Sequence, residues 1–126
     1  MSLYKYKNEN PLNKETGDCV VRALVTATGE DYDTILRQLF DLAFELKTIP
    51  NGKECWEMFL RQKGWIRNPI SNKKGSKRPT VESFTKDHKQ GTYIVQVANH
   101  LTVVKDGYYY DIWDCGKSCL YSYWNL

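Results

Sequence analysis

The chain has 126 residues, enough for one domain with a real core and too few to expect two. Hydrophobic residues make up 41% and charged residues 26%, the balance of an ordinary soluble globular protein. A net charge of +3, from 18 basic and 15 acidic side chains, is too small a surplus to argue for a nucleic-acid or anionic-membrane partner. No apolar run approaches the roughly 18 to 20 residues of a membrane span. The opening MSLYKYKNENP lacks the apolar stretch of a signal peptide, so the expected address is the cytoplasm.

In chain order, the first half reads as helical. CVVRALVTATG, from Cys19, places Val20, Val21, Ala23, Leu24 and Ala27 on an apolar face, with Asp18 or Thr16 as a possible cap and Gly29 as the stop. DYDTILRQLFDLAFELK follows, and Ile35, Leu36, Leu39, Phe40, Ala43 and Phe44 predict a broad apolar stripe. KECWEMFLRQKG predicts a third helix that buries Trp56, Phe59 and Leu60 and ends on Gly64.

Residues 65–79 have little periodicity and much Asn, Lys, Gly and Pro, which predicts a long surface connection. Its basic run contains Lys73, Lys74, Lys77 and Arg78; a solvated loop is the plainer reading and phosphate contact the other. TVESFTKDH predicts a short helix capped by Thr80.

From Thr92 the chain turns rich in Tyr, Val, Ile and Trp. TYIVQVA, HLTVVKDGYYYDIWD and CLYSYW predict three or four strands, and Asp106–Gly107 is a strong hairpin signal. Helices first and an antiparallel meander second predict an α+β domain over residues 1–126, with helices covering one side of a small sheet. No internal repeat, heptad seam or glycine-rich phosphate loop interrupts this order, and the oligomeric state stays open.

The chemistry centres on Cys19. A cysteine in the first turn of a helix lies near unpaired backbone N–H groups and the positive end of the helix dipole, which favour thiolate over thiol. The other cysteines are placed differently: Cys55 falls inside a helix, and Cys115 and Cys119 lie around a late turn. With nothing marking secretion, all four are expected as reduced thiols.

His100 opens a predicted strand. If Asp106 and Gly107 form a two-residue turn, Lys105 faces Tyr108, Thr102 faces Asp111 and His100 faces Trp113. Asp111 then shares a face with His100, one diagonal step away, and Trp113 covers the contact from water. A bulge or three-residue loop would flip the parity and offer Asp114 instead.

The helix-borne GDCVVRA, then GTYIVQVANHLTVVKDGYYYDIWD and a closing YSYW, resemble small phage and bacterial proteins with a papain-like cysteine-peptidase fold. The resemblance runs from about Gly17 to Trp124, and its order also matches bacteriocin-processing peptidases. It implies Cys19 as nucleophile, His100 as general base and Asp111 as the group that orients the histidine, acting on a peptide or protein substrate with no cofactor. Papain-like enzymes carry a Gln about six residues before the cysteine; here that place holds Asn13, the candidate oxyanion donor. The same triad serves deamidation, transglutamination and other acyl transfers.

Two other function classes fit the residues. Tyr-rich strands could present an aromatic surface for binding another protein without catalysis. Cys115 and Cys119 form a C-x3-C pair that His100 or His88 could complete as a zinc site, although the paired-knuckle spacing is missing and no metal is expected.

Overall fold

A computed structural model describes residues 2–71 and 77–126. Lys73 and Lys74 therefore lie outside the described residues. Among the described ones, Arg78 packs its guanidinium 4.6 Å above the Tyr121 ring.

The expected helices form where the apolar spacing places them: α1 over Cys19–Thr28, α2 over Tyr32–Leu46, α3 over Lys53–Gln62 and α4 over Val81–Asp87. Their ends follow local chemistry. Gly29 stops α1 at φ 74° and donates its N–H to the Val25 carbonyl, while the Asp31 side chain accepts from Thr34 N–H at the start of α2. Thr80 and Ser83 form a reciprocal capping box at α4. Asp18 occupies the N-cap position of α1 but makes no capping bond, because its carboxylate is committed elsewhere.

Six strands build one sheet: β1 Tyr4–Tyr6, β2 Ile66–Pro69, β3 Thr92–Val97, β4 His100–Lys105, β5 Tyr108–Asp111 and β6 Ser122–Asn125. Their order is β1-β5-β4-β3-β6-β2. The C-terminal strands pair antiparallel as expected, but β1 pairs parallel with β5, so the sheet is mixed rather than purely antiparallel. β1 and β2 were not signalled by composition. Each is short and lies at an edge of the sheet, where one ladder of backbone hydrogen bonds supplies what side-chain patterning does not. The connection predicted over 65–79 is accordingly shortened by β2, which pairs with β6.

Layering departs from expectation as well. α1, α2 and α3 cover one face, where Leu24, Leu39 and Leu60 meet Ile94, Leu101, Val103 and Trp124. On the second core, Val81 and Phe84 of α4 pack with Val95, Val97, Val104 and Tyr109. Strand alternation explains the division, since Ile94 belongs to the first core and Val95 and Val97 to the second. Two residues of the predicted α2 stripe miss both cores: Phe40 is 56% exposed and Phe44 76%. The helix buries a narrower seam of Ile35, Leu39, Leu42 and Ala43, and Lys47 lies 4.0 Å above the Phe44 ring.

Candidate functional site

Cys19 is the first residue of α1, and that helix packs across β4. His100 is the first residue of β4 and Asp111 the last of β5. The β4–β5 turn sets their relation. Asp106 and Gly107 take φ 51° and 86°, both left-handed as a tight hairpin of this type requires, and Lys105 pairs with Tyr108. Two-residue turn and parity are thus as expected, and His100 Nε2 lies 2.5 Å from Asp111 Oδ2.

The alternative acid is engaged elsewhere. Asp114 Oδ1 accepts from the Tyr109 hydroxyl at 2.5 Å and from Gly116 N–H at 3.0 Å. Trp113 stays 46% exposed with its ring centroid 4.9 Å from that of His100, forming a partial cover over the imidazole.

With Nε2 held by Asp111, Nδ1 is the ring atom that remains for sulfur. Cys19 lines the same cleft as His100 and Leu101, and both act on its thiol. Burial raises the thiol's proton affinity, but the His100 and Leu101 hydrogen bonds and the positive charges of His100 and Arg22 outweigh it, so its pKa falls below the ordinary thiol value. For His100, burial opposes the charged ring, yet hydrogen bonds to Asp111, Cys115 and Cys19 and the Asp111 charge push its pKa up to about 11. Asp111 is itself lowered, its desolvation outweighed by His100, Thr102 and Arg22. The Cys19 and His100 shifts both run in the direction that favours a thiolate–imidazolium pair over the neutral pair.

Three features had no sequence signal strong enough to find them. Arg22 Nη1 donates to Asp111 Oδ1 at 2.9 Å and its Nε to Asp18 Oδ1 at 2.7 Å. Its position three residues after Cys19, on the same helix, was visible; its reach to β5 was not. Cys115, buried, places its sulfur 3.8 Å from Asp111 Oδ2 and within 4.8 Å of a His100 ring nitrogen. Parallel pairing of Tyr6 with Asp111 anchors the acid's backbone, whose carbonyl also accepts from Lys7 N–H at 3.0 Å and the Tyr4 hydroxyl at 3.1 Å.

Cys19 and His100 open onto a cleft of about 390 Å³ lined also by Trp56, Gln96, Asn99 and Lys53. Asn13 does not line it. It sits exposed, with φ 55°, and donates its backbone N–H to the Asn10 carbonyl at 2.9 Å, so its side chain is not brought to the sulfur. The carboxamides that do reach the cleft are Asn51, Gln96 and Asn99, and Gln96 Oε1 is buried with no protein partner.

The zinc constellation does not assemble. His88 stacks on Phe84 with centroids 3.8 Å apart, its Nδ1 2.7 Å from the Phe84 carbonyl, and Cys119 is exposed. His100, Asp111 and Cys115 alone bring their donor atoms within 4.8 Å of one another among the described residues. Arg22 already occupies Asp111 as a cation, so a metal there would face an adjacent guanidinium. All four cysteines are free thiols, as expected.

The aromatic strands turn largely inward. Tyr109 is buried against Tyr4, and Trp124 meets Trp56 edge-on with centroids 5.2 Å apart. Among the described residues, no helix is long and apolar enough to cross a membrane. Compared with known proteins, the chain matches no family profile, no curated protein and no solved structure.

Proposed function

We propose that this protein is a thiol-dependent acyl-transfer hydrolase of papain-like type, a cysteine peptidase in the first instance, acting on a peptide or protein amide without a cofactor. The observation that carries the reading is the His100 ring held by the buried Asp111 carboxylate at 2.5 Å, in a cleft that Cys19 and His100 line together.

The Cys19 thiolate attacks the substrate carbonyl carbon, a C–S bond forms and the carbonyl oxygen becomes an oxyanion. The backbone N–H of Cys19, at the helix start, has no partner within the helix and is available to that oxyanion. His100 then gives its Nδ1 proton to the leaving nitrogen as the C–N bond breaks, and Asp111 at Nε2 holds the ring in orientation. Water attacks the resulting thioester and loses one proton to Nδ1; the C–S bond breaks, releasing the Cys19 thiolate and a carboxylic acid that gives its proton to solvent. An amine in place of water would give transamidation by the same steps.

Iodoacetamide labelling with site identification by mass spectrometry tests this directly. Cys19 is expected to react at pH 6 at least about tenfold faster than the exposed Cys119, and to lose that advantage in His100→Ala. Equal, slow labelling of Cys19 and Cys119 would remove the basis for an activated nucleophile.

A further inference from the structure

Arg22 lies three residues beyond Cys19 on α1, nearly one helical turn along, and only 5% of it is exposed. Its guanidinium is shared between two carboxylates: Nε donates to Asp18 and Nη1 to Asp111. Asp18 is fixed in turn. Its Oδ2 accepts from the Tyr32 hydroxyl at 2.6 Å and from Asn10 Nδ2 at 3.1 Å, which brings α2 and the segment before α1 into the same network.

Removing a guanidinium and two carboxylates from water is costly, and well-packed apolar side chains often stabilise a fold as well or better. The arrangement does something that apolar packing cannot. Asp111 has two oxygens with separate duties, since Oδ1 takes Arg22 Nη1 and the Ile112 N–H at 2.8 Å, leaving Oδ2 to His100. The Nη1 and Ile112 N–H bonds at Oδ1, set against His100 at Oδ2, restrain the carboxylate's rotation about its Cβ–Cγ bond, and Asp18 at Nε keeps the rigid guanidinium plane aimed. One helix therefore presents the sulfur at its start and grips, a turn later, the acid that aims the imidazole.

We propose that Arg22, aimed by Asp18, is a positioning residue of the Cys19–His100–Asp111 site, locking the Asp111 carboxylate for His100 and tying the nucleophile's helix to β5. The proposal rests on the acyl-transfer reading above. Arg22 touches neither sulfur nor substrate and acts through Asp111. Its charge also favours the Cys19 thiolate.

The test uses the full chain with Arg22→Lys and Arg22→Met, two probes and a melting curve for each. Iodoacetamide reports thiolate formation at Cys19 against pH; p-nitrophenyl acetate reports acylation as a burst of p-nitrophenolate and deacylation as the steady rate that follows. Lysine keeps the charge but cannot hold both carboxylates, so Arg22→Lys is expected to leave the labelling profile in place while slowing deacylation about tenfold. Arg22→Met is expected to do the same to deacylation and also to move the acid limb of labelling up by about half a pH unit or more. If Arg22→Met does not fold, Arg22→Lys carries the test alone. Wild-type deacylation in Arg22→Lys, with only its melting temperature lowered, would overturn the proposal and leave Arg22 a structural tie. Slow labelling of wild-type Cys19 at pH 6 would instead overturn the acyl-transfer reading itself, and this proposal with it.

Discussion

At the scale of single residues, the site is a balance of charges in a small buried volume. Two carboxylates, Asp18 and Asp111, face the Arg22 guanidinium and the His100 ring, and the Cys19 sulfur lies in the cleft beyond. Asp111 carries most of the burden, since it is 2% exposed and bonded to both cations. Asp111→Asn keeps an oxygen near Nε2 but removes the charge. The His100 pKa is then expected to fall from about 11 toward its ordinary 6.5, as read by NMR titration of its ring protons. The same change leaves Arg22 with one buried partner, so a loss of about 3 kcal/mol in urea unfolding is expected with it.

At the scale of elements, one turn decides whether His100 meets Asp111. Residues Asp106 and Gly107 both hold positive φ, and this fixes the β4–β5 register that carries Asp111 to His100 rather than Asp114. Gly107 is at φ 86°, and a Cβ added there would meet the Lys89 carbonyl oxygen at 3.4 Å. Gly107→Ala is therefore expected to cost about 1 to 2 kcal/mol in urea unfolding, mainly as backbone strain. Labelling of Cys19 at pH 6 should persist in the folded fraction, because the alternative parity would turn the tyrosines of β5 to their opposite faces. The second element that matters is β1. It lies beside β5 in the sheet and pins the acid's backbone through Tyr4 and Lys7, so the N-terminal residues serve the site although none of them bears on the chemistry.

At the scale of the whole molecule, the buried charges make stability depend on pH in a readable way. Asp18 and Asp111 are held below the ordinary carboxylate value of 3.8, so their contributions are present above that pH and are lost as pH falls through their depressed values. His100 is raised, so its contribution is full below about 6.5 and is lost as pH rises toward about 11. Cys19 is lowered from 9.0 and runs the other way, its contribution present above 9.0 and lost as pH falls through its depressed value. Melting temperature is therefore expected to drop below about pH 4, and in Asp111→Asn that acid drop should be shallower. The exposed Phe40 and Phe44 should matter little to folding by comparison, with Phe44→Ser within about 0.5 kcal/mol of wild type.

What the sequence determined by itself was local. Apolar spacing gave four helices at their observed places, Gly29 and Thr80 marked an end and a beginning, and the Asp106–Gly107 pair carried enough turn chemistry to set strand parity. From those came Cys19 at a helix start and His100 beside Asp111, because each follows from a period of 3.6 or 2 and a turn of known length. Tertiary structure decided whatever depended on a partner distant in the chain. β1 and β2 became strands only because sheet edges offered unpaired backbone groups, and α4 took the opposite face from α1–α3 because strand alternation left a second apolar surface to cover. Asn13, placed by counting back from the cysteine, stayed in an exposed turn. Arg22, 89 residues from Asp111 in the chain, became its partner because packing α1 across β4 brought the buried guanidinium to the end of β5. Sequence patterns encode periodicity and turns; the meeting of charges across elements is set by the packing that excludes water between them.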